Sequence, residues 1–90
     1  MFDKSKVKKI HFIGIGGIGM SGMAELLFKS GYVITGSDIK ENDRTIFLSS
    51  LGIKIFIGHE AENISDADLI VYSSAVKIDN VEIIQGRNAG

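Results

Sequence analysis

Gly14-Ile15-Gly16-Gly17-Ile18-Gly19 satisfies the pattern G-x-G-x-x-G, the spacing at which a strand turns sharply into a helix and brings backbone N–H groups up to a pyrophosphate. Gly14 would permit the turn, Gly16 would let amides approach a phosphate without a Cβ in the way, and Gly19 would let the helix pack closely on a sheet. The free amides of the helix N-terminus, with about half a unit of positive charge from the macrodipole, attract an anion without needing a lysine. A tight turn with no ligand is the plain alternative. It is disfavoured because spaced glycines cost about 0.5–1 kcal/mol each relative to alanine in regular structure.

Asp38 follows the glycine turn by about 20 residues, where a carboxylate can accept hydrogen bonds from a ribose diol. Gly36 and Ser37 lead directly into it. Capping a helix or standing solvated in a turn are its other uses. A dinucleotide and a uridine nucleotide both present a ribose and a pyrophosphate, so these features do not choose between them. His59 taken alone is more often a surface or capping residue than a ligand contact, and with His11 the only other histidine no metal site is expected. Ser73 and Ser74 carry hydroxyls suited to phosphate or sugar oxygens, but equally they could simply end a strand. No Ser-His-Asp arrangement marks a nucleophile, and no Walker-type loop is present to activate ATP.

The elements that must position these residues follow from periodicity. Val7 to Ile13 is expected to be a buried strand that stops at Gly14, and Gly17 to Ser30 a helix with Met23, Leu26 and Leu27 as its core stripe and Gly31 as a left-handed cap. Tyr32 to Thr35 is a second strand running into Gly36-Ser37-Asp38, and Asp43 to Leu51 a helix capped by Gly52. Ile53 to Ile57 and Leu69 to Tyr72 are further strands, separated by a turn or two of helix between His59 and Ile64. A last helix is expected around Asn80 to Arg87, and the chain then finishes at Gly90 with no further strand for it to cross to, as a unit cut from a longer chain would. Short strands alternating with helices imply an α/β, Rossmann-like three-layer domain with a mainly parallel sheet. In such a sheet the clusters at Gly14 to Gly19, Gly36 to Asp38, Gly58 to His59 and Ser73 to Ser74 all gather at the carboxyl edge, where open α/β folds bind ligands.

Composition agrees with one small domain. Ninety residues with 44% hydrophobic content support a single core but not a second domain. Ten basic and eleven acidic side chains leave a net charge of -1, so the overall field gives no reason to propose nucleic acid or an anionic membrane as a partner. The absence of cysteine fits a cytoplasmic protein better than a secreted one. Lys4, Lys6, Lys8 and Lys9 before the uncharged run from Ile10 imitate a signal peptide. Five glycines break up that run, and it is shorter than the roughly 20 residues a membrane helix needs.

The string His11-Phe12-Ile13-Gly14-Ile15-Gly16-Gly17-Ile18-Gly19-Met20-Ser21-Gly22-Met23-Ala24 resembles the N-terminal signature of the Mur ligases that act on UDP-N-acetylmuramate. The likeness extends through Gly36-Ser37-Asp38, Gly58-His59 with Asn63, and Ser73-Ser74-Ala75, in order and spacing over nearly the whole chain. It implies an ATP-dependent amide ligase of peptidoglycan biosynthesis in three domains, whose first domain (residues 1–90 here) holds UDP-N-acetylmuramate. The central domain, which binds ATP and magnesium, and the C-terminal domain, which helps bind L-alanine, are absent from this chain. An acyl phosphate forms on the muramyl carboxylate in such a ligase, and the amine attacks it. No catalytic residue and no cofactor is expected in this fragment, which alone should be inactive. By the same resemblance Gly14, Ile15, Gly16, Gly17, Ile18 and Gly19 would cradle the pyrophosphate, Ser37 and Asp38 would face the uridine end, His59 would line the nucleotide pocket, and Ser73, Ser74 and Ala75 would border the phosphate and sugar.

One departure is visible. The family usually has proline between the asparagine and glutamate after the serine pair, whereas here Val81 separates Asn80 from Glu82, which is expected to tune the start of the last helix. The alternatives are a related ligase that attaches a recycled tripeptide to the same nucleotide sugar, a stand-alone NAD-binding module, and a ligand-free interaction domain. The NAD module leaves Gly58-His59 with Asn63 and Ser73-Ser74 unexplained.

Overall fold

Four strands, Lys9–Ile13 (β1), Val33–Asp38 (β2), Lys54–Ile57 (β3) and Leu69–Tyr72 (β4), form one sheet in the order β3-β2-β1-β4, with every pairing parallel. The structure is a computed structural model that describes residues 7–64, 66–73 and 80–89. Among the described residues, three α-helices, Ile18–Lys29 (α1), Asp43–Ser50 (α2) and Val81–Ala89 (α3), and a short 3-10 turn at Ala61–Ile64 accompany the sheet. This is the α/β arrangement expected from the alternation of strands and helices.

β1 lies between β2 and β4, and Ile10 to Ile13 are all buried, which is why this strand is apolar on both faces apart from His11. Successive side chains point to opposite faces. Ile10 and Phe12 join Ile15, Ala24, Leu27 and Leu48 in the main core, beneath α1 and α2. His11 points to the other face and reaches Glu82 on α3. Helices therefore cover both faces of the sheet. The amino-terminal edge is pinned by Asp68, whose carboxylate accepts the Lys8 and Lys9 N–H groups, both at 2.9 Å. Those bonds, that to Lys9 first, hold the Asp68 carboxyl below its usual range.

Two expectations need correction. Of the stripe Met23, Leu26 and Leu27, only Leu27 is buried; Met23 is 44% and Leu26 64% exposed. α1 instead turns Met20, Ala24 and Leu27 inward. Both stripes have helical spacing, and the one that faces the sheet carries the small Ala24, which lets the helix approach closely. Gly19 does not serve helix-to-sheet packing, because a Cβ there would meet nothing within 4 Å. β2 runs on past Thr35 and closes at Asp38, as expected. Its ladder with β1 continues through Phe12 opposite Gly36 and Ile13 opposite Ser37, because bare Gly36 makes room for Ile15. A Cβ on Gly36 would lie 2.7 Å from the Ile15 Cβ.

Gly31 adopts φ 102° after α1, as expected of a helix cap. At the start of α3 the Asn80 side chain accepts the Glu82 N–H at 2.8 Å, and its carbonyl accepts the Ile84 N–H at 3.0 Å. Val81 thus occupies the first helical position, where an N–H has no intrahelical partner and proline is tolerated. It is 48% exposed. Val81→Pro is accordingly expected to stabilise the chain by about 0.4–1 kcal/mol, by restricting the unfolded state. Urea unfolding checks this, and a lowered midpoint would show that the first turn of α3 needs more than Asn80 to hold it.

Candidate functional site

The glycine turn is strapped to the end of β2. Gly14 takes φ 78°, a left-handed conformation open to glycine at little cost. Its N–H and that of Ile15 both donate to the Ser37 carbonyl, at 2.8 and 3.0 Å. The Gly16 N–H donates to Asp38 Oδ2 at 2.8 Å, and the Gly17 N–H donates to the Gly14 carbonyl at 3.1 Å. Gly16 is bare for a reason internal to the protein: a Cβ would stand 2.7 Å from Asp38 Oδ2 and 2.9 Å from Asn42 Nδ2. Asn42 ties α2 into the same loop through a capping box with Thr45 and a 3.4 Å bond from Nδ2 to the Gly16 carbonyl.

The open donors lie just beyond the turn, at the start of α1. The four amides from Gly14 to Gly17 are used within the protein. α1 begins at Ile18 with Gly17 as its N-cap and no side-chain cap, and its first backbone bond from this end runs from the Ser21 N–H to the Gly17 carbonyl. The N–H groups of Ile18, Gly19 and Met20 therefore have no partner among the described residues, as the first turn of an uncapped helix requires. They stand beside Gly17 and Gly19, both exposed.

Beside this loop lies a buried polar cluster centred on Glu82, whose side chain is wholly buried. Its Oε1 accepts from His11 Nε2 at 2.8 Å and from the Ser37 hydroxyl at 2.7 Å. Its Oε2 accepts from the Glu60 N–H at 2.9 Å and Asn63 Nδ2 at 2.7 Å, with His59 Nδ1 at 3.4 Å. Thr35 Oγ1 holds the far nitrogen of His11 at 2.8 Å. No buried side-chain polar atom among the described residues lacks a partner, the condition under which a buried charge is tolerated. Burial pushes the Glu82 carboxyl up, but the bonds from His11, Ser37 and Asn63 outweigh it and lower the pKa to about 2. A carboxylate so saturated is a structural anchor, and no candidate for proton transfer.

The expected residues separate into three groups. Gly14 to Gly19, Asp38 and His59 meet at the carboxyl edge, where the Gly58 N–H also donates to the Asp38 carbonyl at 2.7 Å. Asp38 spends Oδ1 on the Ile39 N–H at 2.8 Å as well as Oδ2 on Gly16. Ser37 is wholly buried and lies beneath the edge, bonded to Glu82 and to His59 Nδ1, the latter at 2.9 Å. Ser73 follows β4 directly, while Ser74 and Ala75 lie outside the described residues. His11, Thr35 and Glu82 are the functional neighbours that sequence reasoning missed. A histidine at an inner position of an apolar strand was the signal for His11, and the Asn80-Val81-Glu82 pattern marked Glu82 without revealing its partners. Among the described residues, no group of three or more His, Cys, Asp or Glu could hold a metal ion, and no helix is long and apolar enough to cross a membrane.

Comparison with known proteins extends the geometry. The sequence model of the Mur ligase family, catalytic domain, matches residues 9–90. A UDP-N-acetylmuramate–L-alanine ligase of Sulfurihydrogenibium sp. is 61% identical over 87 residues, which are 97% of this chain and 19% of that protein. The crystal structure of the UDP-N-acetylmuramate–alanine ligase of Thermotoga maritima superimposes with a TM-score of 0.87 at 49% identity, covering 90% of this chain and 19% of that one. A UDP-N-acetylmuramate:L-alanyl-gamma-D-glutamyl-meso-diaminopimelate ligase from Neisseria gives 0.78 at 29% identity, covering 92% and 26%. The chain thus spans about a fifth of the length of the L-alanine ligases it matches.

The Glu82 cluster carries a pH signature. The carboxyl falls from its ordinary 4.5 to about 2 on folding, so its contribution is complete above pH 4.5 and is lost as pH falls through 2. The shift corresponds to about 3 kcal/mol. Unfolding free energy measured by urea titration is expected to fall by roughly that much between pH 5 and pH 2, and Glu82→Gln should flatten the slope. An equal slope in that variant would assign the acid sensitivity to other groups.

Proposed function

The chain belongs to the Mur ligase family, and on that premise we propose that it is the UDP-N-acetylmuramate-holding N-terminal unit of an ATP-dependent ligase that adds L-alanine in the cytoplasm during peptidoglycan synthesis. The observation that carries this reading is the set of three open amides at Ile18, Gly19 and Met20, at the positive end of α1. They stand beside a glycine that no neighbouring protein atom requires. The pyrophosphate would rest there rather than on the amides of Gly14 to Gly17, whose role would be to build the turn. Asp38 would offer its remaining lone pairs to the ribose, His59 would meet the nucleoside, and Ser73, Ser74 and Ala75 would border the phosphate and sugar side. Ser37 would act from below, through His59.

The chemistry of amide formation would lie outside this chain. ATP, magnesium and L-alanine would be held by the four-fifths of the longer relatives that it does not span. The L-alanine reading is preferred to the tripeptide-adding ligase because identity is 49% to the Thermotoga structure and 29% to the Neisseria one.

Thermal unfolding with UDP-N-acetylmuramate, UDP or NAD tests the reading. UDP-N-acetylmuramate at 100 times its dissociation constant should add about 2.7 kcal/mol, and NAD should add nothing. A response to NAD alone would assign the turn to a dinucleotide. Gly19→Ala sharpens the test, since a Cβ there meets open space. Alanine should raise intrinsic stability by up to about 1 kcal/mol yet abolish most of the ligand-induced shift. Gly22→Ala, with equally open surroundings, should give the same gain and keep the shift. A Gly19→Ala chain that keeps its full response would move the phosphates away from the first turn of α1.

A further inference from the structure

The histidine at the nucleotide end has its proton assigned by the residues behind it. The Ser37 hydroxyl has one hydrogen, and that hydrogen goes to Glu82 Oε1 at 2.7 Å. What Ser37 turns toward His59 Nδ1, at 2.9 Å, is therefore a lone pair. Among the described residues the only other polar group near that nitrogen is Glu82 Oε2 at 3.4 Å, also an acceptor. Both neighbours demand a proton on Nδ1, and a neutral imidazole has only one. Nε2 is then a bare lone pair, with no hydrogen-bond partner among the described residues, on a side chain that is 16% exposed. Glu82 cannot relax this by turning, because His11, Asn63 and the Glu60 N–H hold both of its oxygens.

We propose that Glu82 is a positioning residue for ligand selection: acting through Ser37, it fixes His59 as the Nδ1–H tautomer, so that Nε2 accepts a hydrogen bond from a hydroxyl or imide N–H of the nucleoside and turns phosphate away. This rests on the uridine-nucleotide reading of the site. The placement is consistent with the span of such a ligand. His59 follows β3 and the open amides follow β1, two strands apart and so roughly 10 Å. Donors at one end and an acceptor at the other give the ligand a direction: phosphates at α1, nucleoside at His59.

Nitrogen-15 NMR of the imidazoles in the ligand-free chain reads the tautomer directly. The chain has two histidines, and His59→Gln assigns the signals. The proton is expected on Nδ1, and a wild-type spectrum with it on Nε2 overturns the proposal whatever any variant does. In Glu82→Gln the new amide can donate to Ser37, which frees the serine proton for His59 Nδ1 and drives the imidazole proton to Nε2. UDP affinity, by calorimetry, should then fall about tenfold, the equivalent of one hydrogen bond, while inorganic pyrophosphate binds as before. Unchanged UDP affinity in a variant whose tautomer has moved would also overturn the proposal, as would equal losses for UDP and pyrophosphate. Should Glu82→Gln fail to fold, Ser37→Ala removes the relay and is expected to show mixed tautomers with a smaller loss, about twofold for an even mixture, again for UDP and not for pyrophosphate. Failure of the wild type to bind UDP or UDP-N-acetylmuramate would instead defeat the site reading, a result distinct from either tautomer outcome.

Discussion

Burial of the Glu82 carboxylate is the constraint on which the carboxyl edge of the sheet depends. A charge with no access to water is tolerable only when donors surround it, and those donors come from β1, β2, the segment after β3 and the 3-10 turn. Meeting that one demand brings five separate parts of the chain into register. It also explains why a polar strip runs across one face of a sheet whose other face is filled with isoleucine, leucine and phenylalanine. The apolar core supplies the driving force for collapse. The carboxylate decides how the loops at the carboxyl edge sit once collapse has occurred.

The edge spends some of its backbone donors on construction and leaves others open. The amides from Gly14 to Gly17 are consumed in holding the turn against β2 and Asp38. That expenditure makes the three following amides a fixed constellation, so a bound anion would order little that was not already ordered. Glycine has two roles in the same stretch. At Gly16 its bareness admits neighbouring side chains, and at Gly19 it leaves space outside the protein.

Much of the fold was legible because alternation, helix caps and glycines are local signals. The strand Leu69 to Tyr72 and the helix from Asp43 emerge where expected, and the glycine turn opens the first helix. Periodicity failed at α1, where two apolar stripes share one helix and only the tertiary fit of Ala24 selects between them. The site was partly legible: the sequence placed the glycine turn, Asp38 and His59 at one edge. It did not reveal the Glu82 cluster, because the Asn80-Val81-Glu82 pattern marks a residue and not its partners, and pairing His11 with a carboxylate 71 residues away is a long-range choice among eleven acidic residues. Nor could spacing say that Asp38 would spend an oxygen on Gly16, since that depends on how far β2 continues beyond Thr35.

The cluster also sets an order of events during synthesis. Residues 11, 37, 59 and 63 leave the ribosome before residue 82, so the donors wait for their acceptor. β1, β2 and β3 can pair and bury Ile10 and Phe12 under α1 and α2 as they emerge, but the opposite face of the sheet stays open until α3 arrives. A chain lacking α3 would leave His11 on an uncovered face, with water in place of Glu82. α3 both covers that face of the sheet and takes the donors at the carboxyl edge out of water.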